Sequence, residues 1–100
     1  MSKVDDLNRD VTSAIRFAEQ LEDVKSEYTP EAYAKVSLVE QLLASELTYG
    51  TAEWAIAWRG AVRAAVKAGD VERAKALISN LTVNCNIEAE FANELNALLP

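Results

Sequence analysis

The stretch YGTAEWAIAWRGAVRAAVKAGD, residues 49–70, contains a helix start, a helix body and a helix stop. Gly50 can take positive φ and reads as the C′ residue of a preceding helix. Thr51 then serves as an N-cap, and Glu53 faces the positive end of the new helix dipole. Trp54, Trp58, Ala61, Val62 and Ala65 recur at spacings of three and four, the signature of one apolar helix face. Gly69 closes the helix and Asp70 caps the next one at once.

Working upstream, the chain carries two further helical patterns. From about Val4 to Val24, the residues Val4, Leu7, Val11, Ala14, Ala18 and Leu21 form a stripe, widened by Ile15. Lys25 to Tyr28 is a polar joint. Thr29-Pro30-Glu31 then opens a second helix, with Thr29 as cap and Pro30 where a missing N–H costs nothing. Its apolar positions are Tyr33, Val36, Val39, Leu43 and Leu47, with Leu42 beside them, and it should end near Leu47 or Thr48. Downstream, a short fourth helix is expected from Val71 to Leu81. Thr82 to Asn86 reads as a loop in which Asn86 can cap. A last helix spans Ile87 to Leu99. Sustained period-two alternation occurs nowhere. The expectation is an all-α, compact antiparallel bundle of four to five helices with no sheet, one domain over residues 1–100.

Composition agrees with this and narrows the chemistry. Half of the 100 residues are hydrophobic, and only three are Gly and two Pro, so long elements and short joints are expected. The formal charge of −6 argues against general affinity for nucleic acid or anionic membrane. There is no histidine, which removes the commonest general base and transition-metal ligand. The single cysteine, Cys85, allows no internal disulfide and no Cys–His nucleophile. No apolar h-region follows Met1-Ser2-Lys3-Val4-Asp5-Asp6, and no run reaches membrane-spanning length, so a cytoplasmic protein is expected.

Four constellations remain. Trp54 and Trp58 share a helix face and read as core beneath the second helix, the alternative being a stacking platform. Tyr49 reads as a rim residue. Ala57, Gly60, Ala61, Ala64 and Ala68 would let another backbone approach closely. Gly60 costs about 1 kcal/mol against Ala in a helix interior, so something should compensate for it. Arg59, Arg63 and Lys67 form a basic ridge, read either as a solvated face or as a docking strip for an acidic partner. The acidic groups Asp5, Asp6, Asp10 and Glu19, Glu22, Asp23, Glu27 read as exposed faces, and no metal or cofactor site is expected from them.

A resemblance overlaps these readings. Ala14-Ile15, Ala18-Glu19 and Leu21, then Tyr28-Thr29-Pro30-Glu31-Ala32-Tyr33, then the restart Gly50-Thr51-Ala52-Glu53 resemble a FIVAR-type three-helix module over residues 11–68. The resemblance implies a helix layout. Such modules usually occur as repeats in secreted, cell-wall-associated proteins, and this chain differs in its single copy and its helices after Gly69. Ala68-Gly69-Asp70-Val71-Glu72-Arg73-Ala74 also looks like the turn of tetratricopeptide-type hairpins, although no 34-residue repeat accompanies it.

The function expected from the residues is a non-enzymatic protein-binding domain: an adaptor, inhibitor or assembly component, such as an accessory protein of a phage or mobile element. Its partner-binding residues would be Tyr49, Arg59, Arg63 and Lys67. A structural homo-oligomer built through the Gly60 face is the alternative, and a carboxylate-only metal or catalytic site is the third reading.

Overall fold

In the computed structural model, which describes residues 2–100, every regular element is a helix. The order is α1 (Lys3–Asp23), α2 (Thr29–Glu46), α3 (Ala52–Lys67), α4 (Val71–Asn84) and α5 (Ala89–Asn96), with no strand among the described residues. None of these helices is long and apolar enough to cross a membrane.

Local chemistry explains the boundaries. Ser2 caps α1 by accepting from the Asp5 amide, and Thr51 caps α3 by accepting from the Trp54 amide. Gly69, at φ +80°, ends α3 in a Schellman turn: its N–H bonds Val66 and the next N–H bonds Ala65. Asp70 supplies that second N–H, and its carboxylate also accepts from the Arg73 amide to start α4. One residue therefore finishes one helix and starts another. Asp70→Ala should lower stability by about 1 kcal/mol in urea denaturation; no loss would mean that the cap is idle.

Several expected boundaries are corrected. Thr29 does not cap α2; its hydroxyl donates to the Ser26 carbonyl, and Tyr28 stands at the N-cap without a side-chain bond. Gly50 is not a C′ residue, because α2 ends at Glu46, four residues earlier. It occupies the third position of a turn closed by the Thr51 N–H on the Thr48 carbonyl, where its φ of +82° fits. The loop expected at Thr82–Asn86 is mostly helix. Thr82 bonds back to the Ile78 carbonyl and Asn84 to the Asn80 side chain, so these side chains follow the helix instead of breaking it. Asn86 takes φ +51° and caps nothing, and α5 is shorter than the expected Ile87–Leu99. Lys25 at φ +54° closes α1 in a Schellman turn with no glycine.

Packing runs in chain order, each helix against the one before it. The register of the first three is antiparallel. Lys3 meets Glu46 at 2.7 Å, and the Tyr33 hydroxyl donates to Glu22 at 2.8 Å. Along the next pair, Ser37 donates to the Ala61 carbonyl, and Lys67 lies 4.9 Å from the Tyr33 ring centre. The core is built from small and β-branched residues where α2 and α3 meet, with Val36, Ala44, Ala57, Ala61, Val62 and Ala65 all buried. Trp54 and Trp58 are buried beside them, as core residues rather than an exposed platform. Leu81 and Leu95 attach α4 and α5. The result is a flat slab, 39 × 38 × 16 Å.

Candidate functional site

α2 is flanked by α1 on one side and α3 on the other, and those two flanks scarcely touch each other. They meet through one ion pair, Lys67 to Glu22 at 3.6 Å, at the end where Tyr33 also bonds Glu22. Burial, and then that hydrogen bond, push the Tyr33 phenol above its ordinary range. Away from this closed end a cleft runs along α2. Two recesses, of about 220 and 520 Å³, make it up, and they share Ile15, Glu40, Gly60 and Arg63. Val4, Val11 and Ile15 line the α1 wall, and Ile56 and Ala57 the α3 wall. Ile56 is 60% exposed at the mouth.

Two polar side chains are buried on α2, and their situations differ. Ser37 is satisfied: it donates to the Ala61 carbonyl and accepts from Arg73 Nε at 3.0 Å, while Arg73 also holds Gln41. Glu40 is only 8% exposed, and among the described residues no hydrogen bond or ion pair reaches its carboxylate. Burial raises its pKa to about 7, and the positive charge of Arg63 acts the other way. Its position explains Gly60. A Cβ placed on Gly60 would fall on the Glu40 carboxylate. The bare backbone of α3 at that point is the seat of the acid.

Glu40 was not among the residues singled out by sequence. Its signal was present: Val36, Glu40, Leu43 and Leu47 follow at spacings of four, three and four, which puts a charge inside an apolar stripe.

The expected partner-binding residues fall into two groups. Arg59 faces α5, bonding Glu94 at 2.9 Å and lying 5.8 Å from the Phe91 ring centre. Phe91 packs at a tilt against Trp54 with ring centres 5.6 Å apart, and Trp54 likewise against Tyr49 at 4.7 Å, so Tyr49 and Arg59 flank one aromatic cluster. Tyr49 is 56% exposed, and its hydroxyl donates to the Cys85 carbonyl rather than only to solvent. Lys67 closes the far end of the cleft with Glu22 and Tyr33. Arg63 alone of the four lies beside Glu40 in the open cleft. The small-residue face of Ala57, Gly60, Ala61, Ala64 and Ala68 reads in the sequence as a close packing surface within the chain, with self-association as the alternative; Ala57, Ala61 and Ala64 are buried, and the Glu40 side chain lies against Gly60.

Among the described residues, no group of three or more cysteine, aspartate or glutamate side chains converges as a metal site would require. Comparisons with protein-family models, with curated proteins and with solved structures gave no match.

Proposed function

We propose that this domain binds another protein and performs no chemistry of its own, acting as an adaptor, inhibitor or assembly component in the cytoplasm. The observation that carries this reading is the uncovered cleft, with Ile56 exposed at its mouth and Arg63 at its edge. Apolar surface held open between two rigid helices is the usual form of a recognition site. Arg59, Arg63, Lys67 and Tyr49 border it and the adjoining aromatic cluster, and supply the polar rim that such sites carry.

An acid–base mechanism is less well supported. Glu40 has the raised pKa of a general acid, yet no second titrating group is hydrogen-bonded to it to take or return a proton. A half-buried free thiol at Cys85 accords with a reducing compartment.

The test is affinity capture from the native host with three baits: the wild type, Ile56→Glu, and the double charge reversal Arg59→Glu/Arg63→Glu. A common partner should be recovered with the wild type and fall at least tenfold with one or both variants, while circular dichroism is unchanged. If every captured protein is retained in full by both variants, the reading is wrong.

A further inference from the structure

We infer that the cleft between α1 and α3 receives an amphipathic helix of the partner protein, apolar along one face and carrying a lysine or arginine that meets the Glu40 carboxylate. This rests on the protein-binding reading above and specifies the chemistry of what is bound.

The shape favours a helix. Both walls and the floor are helical, so the cleft offers no free row of backbone N–H and C=O groups to pair with a strand. The floor from Val36 to Leu47 is about 17 Å long at 1.5 Å per residue, which matches about three helical turns. Val11, Ile15 and Ile56 give apolar contacts on both walls, suited to side chains at i, i+3 or i+4, and i+7.

The charge favours a cation. Glu40 is 8% exposed and no hydrogen-bond donor among the described residues reaches its carboxylate, so only the little water at the cleft opening solvates it. Its seat is built into the fold, since α3 holds a glycine in mid-helix where any larger residue would displace the acid. The titratable groups around it are Glu19 on α1, Tyr33 on α2, and Glu53, Arg63 and Lys67 on α3. Lys67 is engaged with Glu22 and Tyr33, which leaves three carboxylates facing Arg63. Arg63 is exposed and can swing outward as a ligand cation enters. A guanidinium or ammonium delivered from above would complete a charge-assisted pair in a desolvated setting, the kind of contact that anchors an interface.

The ionisation of Glu40 gives an independent readout. Because burial raises its pKa to about 7, a cationic ligand must drive off its proton, and affinity should rise between pH 6 and pH 8.

The test is a displayed library of helical 18-residue peptides, panned at pH 7.5 against the 100-residue chain. Enriched peptides should share an apolar stripe with one embedded Lys or Arg. Their affinity should fall tenfold or more for Ile56→Glu, for Glu40→Gln, and for replacement of the peptide cation by glutamine. It should also fall on lowering the pH from 8 to 6 for the wild type but not for Glu40→Gln. The inference is overturned if no peptide is enriched, if enriched peptides lack the cation, or if they bind Ile56→Glu as well as the wild type. It is also overturned if sedimentation finds a dimer that Ile56→Glu dissolves, because the cleft would then hold a second copy. A host partner lost on charge reversal at Arg59 and Arg63 but indifferent to Ile56→Glu would sink this inference and leave the broader reading standing.

Discussion

Trp58→Ala is expected to lower the unfolding free energy by about 3–5 kcal/mol, the usual cost of deleting a large buried aromatic. The indole is 8% exposed, packs edge-on to Trp54 at 6.4 Å, and sits in the cluster formed with α2. Domains of this size have about 5–15 kcal/mol in total, so the variant should be close to unfolding at room temperature. Trp58→Phe should behave quite differently. The indole Nε1 is buried with no acceptor, the only such side-chain nitrogen or oxygen among the described residues. An orphaned donor of that kind costs about 1–3 kcal/mol, which phenylalanine recovers while losing part of the ring volume. The phenylalanine variant should therefore lie within about 1 kcal/mol of the wild type. Urea denaturation followed by far-ultraviolet circular dichroism measures both, and equal losses for the two substitutions would show that the orphaned N–H has no energetic weight.

The second large effect concerns pH. Glu40 titrates near 4.5 in the unfolded chain and at about 7 in the folded protein. Between those values the folded state binds more protons than the unfolded one. Stability from this group is therefore fully present below pH 4.5, declines as the pH rises, and is lost above about 7. The shift corresponds to about 3 kcal/mol. Other carboxylates contribute their own pH dependence, so the informative quantity is a difference. The stability of Glu40→Gln relative to the wild type should rise by about 3 kcal/mol between pH 4 and pH 8. A flat difference would mean that the carboxyl reaches water in the folded protein.

What could be read in the sequence depended on how local each signal was. Helix α3 was legible because its cap, apolar spacing and closing glycine all lie within 22 residues of one another. The end of α4 was misread because Thr82 and Asn84 form turns when their side chains satisfy the backbone nearby, and continue helices when they bond back one turn. Nothing in the residues themselves chooses between the two. The cost of Gly60 was evident, but its cause was not. The compensating group lies twenty residues away on α2, and only the antiparallel register brings 40 opposite 60. Glu40 had a signal of its own in the spacing of Val36, Glu40, Leu43 and Leu47, but Leu38 and Leu42, exposed on the side away from the core, add a second apolar row to α2 that blurs the phase of the first. The basic ridge illustrates a further limit. Equal spacing along α3 did not mean equal surroundings, since Arg59 turns to α5 and Lys67 to α1.

The chain-order packing of the helices has a kinetic consequence. Each docking event joins segments separated by a turn of a few residues, so little entropy of loop closure opposes it. Low contact order of this sort places refolding in the microsecond-to-millisecond range. Helix α5, at the end of the series, departs from this order: Phe91 against Trp54 and the Arg59–Glu94 pair join it to α3, so its release would uncover Trp54.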